Sequence, residues 1–227
     1  MQNHNHKENI FSKIFSFTNI IILLVLTLVT FFVWNKTEAV KKESMPVVVN
    51  INERDHRIGN PNAKVTIIEY ADLQCPACRA FEGVTGPIIA EYSDKINFVF
   101  KHFPLTQIHQ NAMFAAISTE AASKQGKFWE MKKLVYEKQE EWSSSLDVKT
   151  KFISYAASIG LDVQKFEADL SDKTLEENVL TSLKEANALS LSGTPTFIIN
   201  GKRVETSEIG SVEKLKAYID KELELTK

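Results

Sequence analysis

Lys64-Val65-Thr66-Ile67-Ile68-Glu69-Tyr70, followed shortly by Cys75-Pro76-Ala77-Cys78, is the stretch whose reading decides the fold. β-Branched residues crowd the first segment, and its length suits a buried strand. Beyond Cys78, the positions Phe81, Val84, Thr85, Ile88, Ile89 and Tyr92 recur at spacings of three and four. That spacing marks a helix with one buried face. Pro76 fits its first turn, where a missing N–H is no loss. Pro87 lies inside it and presses on the carbonyl of Gly83; a small residue there softens the clash, so one kinked helix is expected.

Working outward, Ile96-Asn97-Phe98-Val99-Phe100-Lys101 reads as a second strand, and Thr196-Phe197-Ile198-Ile199-Asn200 as a third. Asn200-Gly201 is a hairpin turn leading to Arg203-Val204-Glu205. Between the second and third strands lie helical patterns at Asn111–Gln125, Lys127–Glu141, Lys149–Ile159 and Leu175–Ala188. Val212–Leu225 is a terminal amphipathic helix. The order β-α-β, helices, β-β-α predicts an α/β sandwich with a helical insertion over about residues 106–190.

The 227 residues contain only two cysteines, Cys75 and Cys78, so a disulfide-stapled scaffold is excluded. The pair can bond to itself, hold part of a metal site, or do redox chemistry. A structural clamp of this length closes too short a ring to stabilise much, about 2 kcal/mol by loop closure. Zinc wants four ligands, and no second cysteine pair exists. His102 and His109 read as surface or capping residues, so neither a metal nor a cofactor is expected. Redox chemistry is the stronger reading. Cys75 falls at the helix N-terminus, where unpaired N–H groups favour thiolate over thiol. Cys78, one turn deeper, then resolves the mixed disulfide.

With strand, Cys-Pro-x-Cys and helix in place, the chain resembles the DsbA-like thiol:disulfide oxidoreductases of the thioredoxin superfamily. The resemblance spans about residues 56–224 and includes Gly193-Thr194-Pro195-Thr196-Phe197, Phe103-Pro104-Leu105 and the insertion through Trp129. It implies a thioredoxin fold, a cis Pro195 opposite the cysteines, and main-chain hydrogen bonds from Thr194 to an extended substrate. It also implies a buried acid at Glu69 that takes the Cys78 proton, against a solvated strand-end glutamate as the competing reading. One departure stands out: Ala77 occupies a position where the best-known relatives carry a histidine that stabilises the thiolate. That substitution leaves open whether the protein oxidises thiols or works as a reductase or isomerase. A non-redox module that binds unfolded peptides is the third reading.

The first part of the chain is of another kind. Residues 14–35 carry no charge, and at about 1.5 Å per residue they span roughly 33 Å, enough for a bilayer core of about 30 Å. Phe31-Phe32-Val33-Trp34-Asn35-Lys36 offers no good cleavage site, and Trp34 suits a membrane interface. The expected organisation is a cytoplasmic tail (1–13), a single-pass anchor or signal peptide (14–35), a linker (36–55) and the catalytic domain (56–227). An oxidising dithiol needs a compartment where disulfides persist, so the domain is expected outside the cytoplasm, either anchored to the membrane or released into the periplasm or medium after cleavage. Its partners would be unfolded or exported proteins with free thiols and a membrane protein that resets the cysteine pair. With 27 Lys+Arg against 29 Asp+Glu there is no basic excess, which excludes nucleic acid as a partner.

Overall fold

A computed structural model describes residues 22–34 and 46–225, which fall into two separate units, one on either side of the boundary between Met45 and Pro46. In the first unit residues 22–34 are helical. Its large apolar side chains are exposed, and the hydroxyls of Thr27 and Thr30 are satisfied locally by the carbonyls of Leu24 and Thr27. Among the described residues no helix is long and apolar enough to cross a membrane. The expected tail and the ends of the expected anchor lie outside the described residues.

The second unit is built on five strands: β1 (His56–Gly59), β2 (Val65–Ala71), β3 (Ile96–His102), β4 (Thr196–Ile199) and β5 (Lys202–Val204). Their order in the sheet is β1-β3-β2-β4-β5. Strands β2 and β3 are parallel and joined by α1 (Pro76–Tyr92); every other pairing is antiparallel. This is the anticipated thioredoxin-like α/β fold with one addition. The sequence reading marked no strand before Lys64, but His56–Gly59 forms an edge strand against β3. Gly59 ends it at φ +97°, where a side chain would also run into the Ile96 carbonyl. Upstream, Val47–Val49 makes no strand, yet the Val47 N–H donates to the Gly201 carbonyl at 2.6 Å. Val47, Val49 and Ile51 pack on Ile68, Val99 and Ile198, so the segment read as linker already belongs to the folded unit.

Strand β2 is buried on both faces, which is why it reads as an almost continuous apolar run. Its alternation sorts the core. Val65, Ile67 and Ala71 face the larger cluster, which also holds both cysteines; Ile68 and Tyr70 face the smaller one. Glu69, in step with Ile67 and Ala71, is therefore carried onto the cysteine side. Helix α1 is continuous through Pro87, and a Cβ at Gly83 would meet nothing, so there is room for the proline ring.

The insertion contains α2 (Ala112–Ser123), α3 (Phe128–Glu137), α4 (Gln139–Trp142), α5 (Val148–Ser158), α6 (Val163–Asp169) and α7 (Lys173–Ala188). The expected helix Lys127–Glu141 is broken at Lys138, and α6 was not anticipated. Three aspartates, Asp147, Asp162 and Asp172, cap α5, α6 and α7 by accepting from the N–H groups of Thr150, Lys165 and Thr174. Phe152 fills the centre of the insertion, its ring 5.3 Å from that of Trp142 and 5.6 Å from that of Phe114. The chain closes with α8 (Thr206–Ile209) and α9 (Val212–Leu225).

Candidate active site

Helix α1 begins at Cys75, its N-cap residue, with Pro76 in the first turn. Cys75 is 8% exposed and Cys78 fully buried, both as free thiols. The register of β2 against β4 places Tyr70 opposite Thr196, which brings the preceding Thr194-Pro195 alongside the cysteines. The Thr194–Pro195 peptide bond is cis, and the Cys75 thiol donates to the Thr194 carbonyl at 3.5 Å. Pro76 and Ala77 are exposed. Ala77 and Phe81 form one wall of a groove of about 270 Å³, and Gly193, Thr194, Pro195 and Arg203 line another. Cys75, Cys78, Thr194, Pro195, Pro76 and Ala77 thus converge on one place.

The two sulfurs are opposite in character. The Cys75 thiol is lowered to about 5, first by a hydrogen bond from Cys78, which burial opposes, then by Thr194 and the main-chain N–H groups of Cys78 and Ala77. The sulfur makes no regular capping hydrogen bond, yet it feels the donors at the helix start. Cys78 moves far the other way: burial pushes it up, and the negative charges of Cys75 and Glu69 add to that. Thr194 Oγ1 is buried without a hydrogen-bond partner, which leaves its proton free for a thiolate. No histidine is needed at position 77 to obtain this polarisation.

Glu69 is 2% exposed, and its Oε2 has no partner. Burial raises it to about 7, with Lys132 pulling down and Glu82 pushing up. Lys132, in α3, is fully enclosed. It forms an ion pair with Glu82 of α1 and lies 5.3 Å from the ring centres of both Phe100 and Tyr136. Phe100 is the residue opposite Glu69 in the β2–β3 register. Glu69 is therefore a buried acid close to neutral pH on the cysteine side of the sheet, not a solvated strand end.

Sequence reasoning missed the residues that hold the loop between β2 and α1. Asp72 accepts from the Gln74 N–H (2.7 Å), the Leu105 N–H (2.8 Å) and His109 Nδ1 (2.7 Å). Gln139 donates to the carbonyls of Leu73 and Cys75, and Gln74 donates to that of Ser143. The insertion thereby fixes the main chain that presents Cys75. The reading of His102 and His109 as surface or capping residues is corrected: His102 is buried against Glu120, and His109 is bound to Asp72. A polar cluster following a β-branched strand was the available signal for Asp72; nothing local announced Gln139.

A family model described as Thioredoxin matches residues 51–221. The chain belongs to the thioredoxin family. Among solved structures, the chain is similar to DsbA proteins. A doubly substituted form of Wolbachia pipientis alpha-DsbA1 superposes with a TM-score of 0.64 at 26% identity, over 76% of this chain and 92% of that one. BdbD of Bacillus subtilis shares the fold with a TM-score of 0.67 at 21% identity, over 80% of this chain and 100% of its own. In sequence, the Na(+)/H(+) antiporter NhaA 1 of Mycolicibacterium gilvum is 38% identical over 156 residues, which is 66% of this chain and 24% of the antiporter. NhaA 3 of Salinispora tropica is 36% identical over 151 residues, 66% of this chain and 22% of its own. The chain thus spans about a quarter of the length of these relatives.

Proposed function

We propose that this protein is a membrane-held, extracytoplasmic oxidase that introduces disulfides into exported proteins through Cys75 and Cys78. The observation that carries this reading is the polarised dithiol: Cys75 lowered to about 5 beside a Cys78 pushed far up. A stabilised thiolate makes the reduced form the favoured one, so the oxidised form passes its disulfide on readily.

The steps follow from the geometry. A substrate thiolate attacks Cys75 Sγ of the Cys75–Cys78 disulfide, and Cys78 leaves as a thiolate. Because Cys78 holds its proton tightly, it takes one up as it leaves, and protonated Glu69 is the nearby buried donor. A second substrate thiolate then attacks the substrate sulfur of the mixed disulfide and expels Cys75, a good leaving group because of its low pKa. The substrate gains a disulfide and the protein is left as a dithiol. A membrane redox partner removes the two electrons. The groove beside Thr194-Pro195 is where an extended segment of the substrate would bind, its main chain pairing with Thr194.

The uncharged stretch 14–35 supports a single-pass anchor, since residues 22–34 form a helix of exposed apolar side chains. The likeness to part of membrane antiporters agrees with a thiol-exchange domain working at a membrane. Ion transport is not carried over, because the chain corresponds to only about a quarter of those proteins. Equilibration of the full chain with glutathione buffers tests the direction of exchange. A potential near that of the strong oxidant DsbA, about −120 mV, is expected; one as negative as thioredoxin's, about −270 mV, would identify a reductase instead. Retention of activity when both cysteines are replaced by alanine would leave only the peptide-binding reading.

A further inference from the structure

Away from the cysteines, three potential metal ligands meet at the edge of the sheet. His56 opens β1, His102 ends β3, and Glu120 lies in α2. His56 Nε2 is 2.7 Å and His102 Nε2 is 3.1 Å from the same oxygen, Glu120 Oε1. One ligand atom from each residue lies within 4.8 Å of the other two. The exchange reaction uses none of them.

The rings are held in place before anything binds. His56 stacks on Phe128 at 3.4 Å with the planes 10° apart. His102 meets Phe100 and Phe128 edge-on, at 5.2 Å and 5.9 Å. Side-chain exposure is 16% for His56, 4% for His102 and 5% for Glu120. Hydrogen bonding leaves one atom of this cluster unexplained: Glu120 Oε1 accepts from both imidazoles, but His102 Nδ1 is buried with no partner.

A cavity of about 140 Å³ adjoins the three side chains, room for water as further ligands at about 30 Å³ each. Lys101, Asp55 and Glu185 also line it. Lys101 Nζ is 2.8 Å from Asp55 and 2.8 Å from Glu185, so its charge is already matched by one of these carboxylates. Glu120 pairs with the two imidazoles and not with Lys101. Arg54, the other cation on this rim, is exposed and therefore screened by solvent.

We propose that His56, His102 and Glu120 form a binding site for one divalent ion of the zinc class, which clamps β1 and β3 to the helical insertion. Two imidazoles and a carboxylate are a borderline ligand set that suits zinc, cobalt or nickel and not calcium or magnesium. Metal–ligand bonds of about 2.0–2.1 Å in a tetrahedron put ligand atoms about 3.3 Å apart. The observed 2.7 and 3.1 Å therefore need to open by about 0.6 and about 0.2 Å. Water from the cavity completes the coordination. By tying an edge strand to α2, the ion stabilises the folded state over the unfolded one.

The test uses the full chain in its oxidised form, whose disulfide offers no thiolate to a metal. Zinc is titrated by calorimetry and cobalt by visible absorption. One ion per chain is expected, with cobalt bands of a nitrogen–oxygen tetrahedral site, no sulfur charge-transfer band, and a melting temperature that rises with zinc. His56→Phe keeps a ring on Phe128 while deleting a ligand, and Glu120→Gln keeps the side-chain shape; each is expected to weaken binding at least about tenfold. A His4→Gln, His6→Gln variant controls for the two histidines near the start of the sequence and is expected to bind like the parent. Absence of binding in the parent overturns the proposal. So does binding that survives both ligand substitutions or disappears in the His4, His6 control.

Discussion

Replacing Glu69 by glutamine makes the protein more stable above neutrality, by an amount the burial of the carboxyl sets. Glu69 sits at about 7 in the fold against 4.5 for a free side chain. The folded state therefore binds the extra proton between these two values, and stability falls as pH rises from about 4.5 to about 7. The gap corresponds to about 3 kcal/mol in total, present in full below the lower value and lost above the upper one. Glutamine, isosteric and never charged, removes this dependence. In urea unfolding of the reduced full chain, Glu69→Gln should match the parent near pH 4.5 and exceed it by about 3 kcal/mol at pH 8. Lys132 limits the effect by favouring the carboxylate, so Lys132→Met should push Glu69 higher and widen the difference. An increment that is the same at both pH values would refute the claim that a titrating buried acid is responsible.

Two further outcomes follow from the site and the core. Cys78→Ala removes the leading donor to the Cys75 sulfur and should raise its pKa by about one to two units, since a hydrogen bond to a charged group contributes about 1.5–3 kcal/mol, while Cys78→Ser holds it near 5; thiolate absorbance against pH reads both. Phe152→Ala empties the centre of the insertion and should cost about 3–5 kcal/mol in denaturant unfolding, because Trp142, Phe114 and Tyr155 all lose a ring contact.

The legible parts of this molecule were those governed by local pattern. Strand β2 announced itself because a strand buried on both faces must be apolar throughout, and α1 because its buried residues repeat at helical spacing. Edge strand β1 carries no such pattern: of its four residues, His-Arg-Ile-Gly, only His56 and Ile58 are half-buried, and their pairing with β3 is a long-range event. Lys132 and Lys133 show the limit most plainly. They are adjacent and identical, yet their side chains are 1% and 69% exposed. Only tertiary packing against Glu82, Phe100 and Tyr136 distinguishes them. His102 likewise looked like a residue trailing a strand until Glu120, eighteen positions on, gave it a buried partner. Cys75, Cys78 and Pro195 were readable because their chemistry is confined to short motifs. The groups that hold the loop in place, Asp72 and Gln139, act across long separations in sequence.

The most direct measurement is the rate of Cys75 alkylation by iodoacetamide across pH in the reduced protein, with Cys78→Ser as the reporter that isolates one thiol. A helix start, Thr194 and the hydroxyl of Ser in place of the Cys78 thiol should keep the midpoint close to 5. A midpoint near 8.5, that of an ordinary cysteine in water, would contradict the account.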